Sequence, residues 1–182
     1  MSKLTKKEIK EMEELKKAQR RLRWEMKEAV QNYWKDIAAM ERVARLTDNY
    51  NILKGGSLIQ EEKDKLYANY PVLEGLTSSQ KSILRTLIHN DEEREEYLKD
   101  SKYSKFKELL PGDAIVLSDF VWKEEELLEQ IELLKRLGID QIYFTNSSTA
   151  VLREMVWLFR AGAMIVGTTN IDEYNEGLII EL

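Results

Sequence analysis

The chain has 182 residues, 34% of them charged, and a net charge of −5 at pH 7. It contains no cysteine, which excludes disulfides and thiolate metal sites, and a single histidine, His89, which excludes a multi-histidine zinc site. The length suits one domain with an appendage, or two small domains. The missing cysteines, a charged N-terminus and the lack of an apolar run of about 18 residues predict a cytoplasmic protein without a signal peptide or membrane span.

The charge is unevenly distributed along the sequence. Residues 1–54 hold 14 basic and 9 acidic side chains, whereas the remaining residues hold 14 basic and 24 acidic side chains. A basic arm on an acidic body indicates two partner surfaces of different charge, or a dimer in which these surfaces meet each other.

The first predicted element is a long helix over residues 5–46, within a stretch of 54 residues that has no glycine or proline. Its apolar residues are spaced by 3 and 4, with a period of about 3.67 residues per turn that suits a straight α-helix. The helix would be roughly 60 Å long, about twice the width of a small domain. We therefore expect a dimer in which a second copy covers the apolar stripe formed by Leu15, Ala18, Leu22, Met26, Ala29, Tyr33, Ile37, Met40 and Ala44.

Basic side chains cluster on the same helix. Six of them form the basic arm: Lys16, Lys17, Arg20, Arg21, Arg23 and Lys27. Four of the six step by 4, 3 and 4 residues and share one face, from which they can neutralise the phosphates of a nucleic acid. A solvated helix face with weak i,i+4 ion pairs explains them equally well.

Residues 57–110 are predicted to be helical, with helices over 58–69 and 77–90. Thr77 and Gln80 have the spacing of a capping box at the start of the second helix. The pair could form a helix-turn-helix whose second helix presents polar residues to DNA: Ser78, Ser79, Gln80, Lys81 and Arg85. An ordinary helical core is the favoured alternative, because the turn is long and an acidic segment follows.

That acidic segment is predicted as a separate helix over residues 91–98, followed by a short helix over 104–110. Five of its residues form the acidic surface: Asp91, Glu92, Glu93, Glu95 and Glu96. Carboxylates arrayed on a helix can imitate phosphates and occupy a nucleic-acid channel, although a solvated face is the commoner explanation.

The last part of the sequence alternates between strand and helix patterns. Strands are predicted over residues 114–117, 141–145, 164–168 and 178–181, and helices over residues 123–137 and 149–160. Gly138 and Gly162 are placed to end the two helices. This order predicts a small open sheet, largely parallel with an antiparallel edge. The fold class is therefore α+β, organised as a long basic helix (1–54), a helical segment (57–110) and a small α/β domain (112–182).

The sequence offers no credible reactive centre. Residues 146–149 follow a predicted strand and could hold an anion, but they lack the glycines of a phosphate-binding loop, and helix capping explains them. No nucleophile is paired with a base. We therefore expect a protein without enzymatic activity, cofactor or metal, which acts by binding another macromolecule.

The overall pattern resembles phage-encoded anti-CRISPR proteins of Gram-positive bacteria that inhibit type II-A RNA-guided nucleases. The likeness is carried by the Lys/Glu-rich arm of residues 1–46, the helical segment 58–110 with its helix start at residues 76–81, and the ending from residue 141 to residue 182. It implies a small protein of the host cytoplasm that binds the nuclease, as a dimer, and blocks DNA recognition or cleavage. These inhibitors share no common fold, so the resemblance assigns no site residues.

Two other functions fit parts of the pattern. The helical segment is also similar to phage transcription regulators with a helix-turn-helix, which would read DNA with the 77–90 helix and grip phosphates with the basic arm. The acidic body is not typical of such DNA-binding regulators. A structural factor that uses the long helix as a coiled-coil strut is a third interpretation.

Overall fold

The computed structural model describes residues 5–99, 116–117, 123–145, 151–171 and 176–182. The helices in these ranges are α1 (Lys6–Leu46), α2 (Gln60–Tyr67), α3 (Ser78–Lys99), α4 (Glu124–Arg136) and α5 (Val151–Arg160). The strands are β1 (Leu53–Lys54), β2 (Ser57–Leu58), β3 (Val116–Leu117), β4 (Gln141–Phe144), β5 (Met164–Asn170) and β6 (Glu176–Glu181). The predicted α+β fold class is confirmed, while the predicted helix at 104–110 lies outside the described residues.

The chain divides into two compact units. The hairpin unit is Arg21–Leu76, and the sheet unit combines Met1–Arg20 with Thr77–Leu182. The predicted segments followed breaks in the sequence pattern, whereas compact units follow tertiary contacts. As a result, α1 contributes residues to both units.

The predicted limits of α1 agree with the structure to within one residue. At the start, the Thr5 amide donates to Glu8 Oε2 at 2.6 Å, and the Glu8 amide donates to Thr5 Oγ1 at 3.3 Å, which is a capping box. At the end, the Asn49 amide donates to the Ala44 carbonyl at 2.8 Å, with Asp48 at a φ of +53°. This is the pattern of a Schellman motif, here with an aspartate where glycine is usual.

A β-hairpin occupies the position predicted as a break between segments. β1 and β2 pair antiparallel, with Leu53 opposite Leu58 and with Gly55 and Gly56 at positive φ in the two-residue turn. The last turns of α1 hold the hairpin in place. Arg45 Nη2 donates to the Gly56 carbonyl at 2.7 Å, and Glu41 Oε1 accepts the Leu58 amide at 3.1 Å.

The sheet unit contains one four-stranded sheet in the order β3-β4-β6-β5. β3 and β4 are parallel, but β6 lies between β4 and β5 and is antiparallel to both. The prediction of a largely parallel sheet is therefore wrong. β6 returns directly from β5 and enters the sheet beside β4, which separates the two strands that a right-handed crossover would have paired. Within this unit Leu127, Leu134, Ile142 and Phe144 are buried.

The predicted division between helices 77–90 and 91–98 is also wrong, because α3 is continuous through this region. The helix does not break at Asn90. The side-chain amide of this residue donates to the Thr86 carbonyl at 2.9 Å, one turn earlier, so its polar group is satisfied without ending the helix. The acidic residues consequently extend the same helix that begins with the Thr77 cap.

The two glycine caps predicted in the sheet unit are confirmed. Gly138 has a φ of +72° and Gly162 a φ of +85°. Beyond each glycine, an amide closes the last turn of its helix: Ile139 donates to Leu134, and Ala163 donates to Leu158, each at 2.9 Å. Both ends have the hydrogen bonds of a Schellman motif.

Candidate functional site

The basic arm lies on α1, and its six residues differ in how available they are. Lys16, Lys17 and Arg20 are exposed, whereas Arg23 and Lys27 are half-buried. Arg21 is exposed but its Nε donates to Glu25 Oε1 at 2.7 Å, an i,i+4 ion pair. The cationic surface most accessible to a partner is therefore the three-residue group near the start of the predicted arm.

The acidic surface lies on the C-terminal half of α3. The side chains of Asp91, Glu92 and Glu95 are exposed, while those of Glu93 and Glu96 lie outside the described part of the structure. Asp91 and Glu95 are four residues apart and Glu92 and Glu95 three apart, so the three carboxylates occupy neighbouring positions on one helix face. This face presents negative charge to solvent.

The start of α3 is packed against α4, as in the favoured alternative of an ordinary helical core, and this corrects the assignment of Ser79 and Gln80 as possible base-reading residues. Ser79 is buried, its hydroxyl bonds to the Glu129 carboxylate, and its carbonyl accepts a bond from Gln130 Nε2 at 3.3 Å. Gln80 Nε2 donates to the Glu129 carbonyl at 3.2 Å. Two of the five predicted base-reading side chains are thus used inside the protein. Ser78 and Arg85 are exposed, and Lys81 is half-buried.

Glu129 is the acceptor at the centre of this α3–α4 junction. Its carboxylate receives the hydroxyls of Ser79 and Thr77, the second at 2.7 Å. These two hydrogen bonds lower the pKa of Glu129 below its ordinary value, because they stabilise the ionised form. Thr77 also forms the predicted capping box with Gln80, with two bonds of 3.2 Å. Sequence analysis found this cap but not its acidic partner, which lies 52 residues away.

The apolar stripe of α1 differs in burial along its length, which corrects the assignment of Met26 and Ile37 to a dimer surface. Met26 is fully buried and Ile37 is 4% exposed, so both are covered by the chain itself. Tyr33 and Met40 are half-buried, as is Leu22, whereas Leu15 is 59% exposed. We expected a second copy of the chain to cover the stripe because the helix is long. The chain after residue 46 instead folds back and covers part of it.

An aromatic cluster in the hairpin unit escaped sequence analysis. The ring of Tyr33 has edge-to-face contacts with Trp34, Tyr67 and Tyr70 at centroid distances of 5.3–6.1 Å. The hydroxyl of Tyr70 donates to Asp36 Oδ2 and that of Tyr67 to the Leu73 carbonyl, each at 2.5 Å. Burial raises the pKa of both Tyr67 and Tyr70 to about 12, with Asp36 adding to the effect at Tyr70. The sequence signal for this cluster was the presence of several aromatic residues within a few helical turns of one another.

A second feature missed by sequence analysis is an exposed apolar group around the turn between α5 and β5. We call it the α5–β5 patch, and its members are Leu152, Val156, Phe159, Met164, Ile165 and Val166. On α5 the spacing of 4 and 3 residues puts three of them on one face, opposite the buried Leu158. The sequence signal for this patch was an apolar face on α5 opposite the face that packs into the core.

Within the described ranges, no group of three or more histidine, cysteine, aspartate or glutamate residues is arranged to hold a metal ion. No helix in those ranges is long and apolar enough to span a membrane. No protein-family model, curated protein or solved structure matches the chain. Its function therefore has to be argued from the chemistry of its own surfaces.

Proposed function

We propose that this protein is a stoichiometric inhibitor that binds a type II-A RNA-guided nuclease, as phage anti-CRISPR proteins do, and has no catalytic activity of its own. The observation that carries the proposal is the exposed carboxylate face of Asp91, Glu92 and Glu95 on α3. Such a nuclease holds its nucleic acids in a positively charged channel and reads the short motif beside its target with basic side chains.

Charge complementarity supports this assignment. A rigid helix that displays several carboxylates can occupy the positions that phosphates take in the nuclease channel. The packing of α3 onto α4 through Glu129 fixes the start of the helix that carries these carboxylates. Inhibition would then result from competition with DNA rather than from chemistry on the nuclease.

The first experiment measures stoichiometry. The purified protein is titrated into a cleavage reaction that contains guide-loaded type II-A nuclease at a concentration well above the expected dissociation constant. We expect cleavage to stop at a fixed molar ratio, and the nuclease and inhibitor to co-elute in size exclusion. Failure to co-elute with any of several type II-A enzymes would remove the nuclease as the target. Loss of nuclease activity far below equimolar inhibitor would indicate an enzyme instead.

The second experiment tests the binding face. The triple substitution Asp91→Asn, Glu92→Gln and Glu95→Gln removes three negative charges, and we expect at least a tenfold loss of nuclease affinity at moderate salt. The matched control substitutes glutamine for Glu11, Glu13 and Glu14, three exposed carboxylates of α1. The control carries the same change in net charge, so an equal loss in both variants would assign the effect to overall charge and refute the α3 face.

A further inference from the structure

The α5–β5 patch brings exposed apolar side chains of a helix and of the strand that follows it close together in the sequence. Leu152 is 75% exposed, Phe159 54% and Met164 58%, and the other three members are 42–49% exposed. At about 200 Å² for a fully exposed side chain of this size, the six side chains together expose on the order of 600 Å², summed over α5 and over both faces of β5. This is at the upper end of the roughly 300–600 Å² of the largest apolar patch on a typical monomer, and such patches are often functional.

The strand half of the patch lies at an edge of the sheet. β5 pairs with β6 on one side and is last in the order β3-β4-β6-β5. Edge strands are usually protected by lysine, other charges or proline. β5 has the sequence Met-Ile-Val-Gly-Thr-Thr-Asn, with no charge and no proline, in a chain that is 34% charged. Within the described ranges, a β-bulge is the feature of β5 that would hinder pairing with another strand.

The bulge falls between Ile165 and Gly167 and divides the strand into two parts. Before it, three consecutive residues expose apolar side chains. After it, the antiparallel ladder with β6 is regular from Gly167 to Asn170, so the outer edge of this part presents the N–H and C=O groups of alternate residues. The strand thus offers apolar contact at one end and backbone hydrogen bonding at the other.

We propose that the α5–β5 patch binds a second copy of this chain about a two-fold axis, with the two β5 strands antiparallel. A two-fold interface places each surface against itself, and self-pairing of an uncharged strand brings no like charges together. A charged partner would gain no ion pair from these seven uncharged residues.

Among the described residues, the two cations of α5 are engaged within the protomer. Arg160 Nη1 lies 3.1 Å from Glu124 Oε2, and the guanidinium of Arg153 lies 4.9 Å from the centre of the Trp157 ring. Their repulsion across a two-fold axis is therefore reduced. This inference places the dimer expected from the sequence at the α5–β5 patch instead of the α1 stripe. It requires no nuclease, so either proposal can fail without the other.

The test measures self-association by sedimentation velocity from about 1 µM to about 200 µM, a span suited to the weaker interfaces of standard size. We expect the wild type to dimerise, and Val156→Glu and Met164→Glu each to weaken the dimer at least tenfold. The matched control is Leu15→Glu, an equally charged change at an exposed apolar residue of the α1 stripe. It should dimerise like the wild type. A monomeric wild type, or a dimer lost in the control but kept in Val156→Glu, would overturn the proposal.

A second measurement guards against variants that fail to fold. Amide hydrogen exchange is recorded on the wild type at both ends of the concentration range. The amides between Gly167 and Asn170 that point away from β6 should exchange more slowly at high concentration, because they become paired across the two-fold axis. Exchange of these amides that is independent of concentration, in a sample shown to dimerise, would place the interface elsewhere and refute the patch.

Discussion

Thr77 Oγ1 donates a hydrogen bond of 2.7 Å to Glu129 Oε2, which attaches the first residue before α3 to the middle of α4. The same threonine caps α3 by accepting the Gln80 amide at 3.2 Å. One hydroxyl therefore serves both a local and a long-range bond. The start of α3 is held inside the sheet unit, while Asp91, Glu92 and Glu95 farther along the helix are exposed.

The ionised state of Glu129 should contribute to stability at neutral pH. Because its pKa is lowered in the folded protein, this contribution is present above its ordinary pKa of 4.5 and is lost as the pH falls through the lowered value. We expect Glu129→Gln to lower the urea midpoint at pH 7 and to reduce the loss of stability on acidification from about pH 5 to about pH 3. Glu132→Gln, at an exposed position of α4, is the control and should keep the wild-type acid profile.

A side chain at position 138 should lower the free energy of unfolding. A Cβ at this position would lie 2.8 Å from Gln19 Oε1, and the φ of +72° strains any L-residue. Gly138→Ala should therefore lower the free energy of unfolding by about 2–4 kcal/mol, from about 1–2 for the backbone and the rest for the overlap. Gly162→Ala separates these two contributions, since Gly162 ends α5 in the same motif and a Cβ added there would have no atom within 4 Å.

A double-mutant cycle tests the overlap directly. Gln19→Ala should restore part of the stability lost in Gly138→Ala, because it removes the atoms that the new methyl group meets. Its own cost should be small, since the bond from Gln19 Nε2 to the Lys135 carbonyl is 3.3 Å long and exposed. Equal losses for Gly138→Ala and Gly162→Ala would mean that Gln19 moves aside freely.

We expect the native Asp48 to lower the free energy of unfolding. It adopts a φ of +53° and puts a negative charge at the C-terminal end of α1, where the helix dipole disfavours it. Asp48→Gly should raise the free energy of unfolding by about 0.5–1 kcal/mol. Asp48→Ala is the control, because it removes the carboxylate but keeps the strained Cβ. A less stable glycine variant would show that the 3.1 Å bond from the Tyr50 hydroxyl to Asp48 outweighs the strain.

The aromatic cluster should make the stability of the protein decrease in alkaline solution. The pKa of Tyr67 and of Tyr70 is raised to about 12 in the folded protein, so the unfolded chain loses these protons first. Stability should accordingly be constant up to about pH 10 and fall as the pH rises towards 12. Absorbance titration of tyrosinate and denaturation at each pH measure the two effects. Tyr70→Phe should flatten the decline, whereas Tyr50→Phe, at a residue that is 61% exposed, should leave it unchanged.

If the basic arm contacts the guide RNA, its contribution should depend steeply on salt. Replacing Lys16, Lys17 and Arg20 with glutamine should weaken binding to single-stranded RNA and lower the slope of log K against log salt by up to about 2, at about 0.7 per phosphate. Arg21→Gln is the control, since that guanidinium is already paired with Glu25. Absence of RNA binding by the wild type at low salt would leave the arm as a solvated surface.

Local patterns along the chain predicted the helices well. The period of apolar residues located α1 and α4, and the spacing of Thr77 and Gln80 located the start of α3. Gly138 and Gly162 marked helix ends because a positive φ is cheapest for glycine. Each of these features depends on residues within a few positions of one another, so no knowledge of the rest of the fold was needed.

Four outcomes depended on residues far apart in the sequence. The insertion of β6 between β4 and β5, the burial of Met26 and Ile37, the use of Ser79 by Glu129, and the exposure of the α5–β5 patch all required knowing which elements meet. In a sequence pattern, an apolar residue that its own chain buries looks the same as one that a partner chain covers. The amino-acid sequence by itself thus determined where helices form, while the tertiary structure alone decided which of their faces remain for a partner, because burial is a property of surfaces that the folded chain brings together.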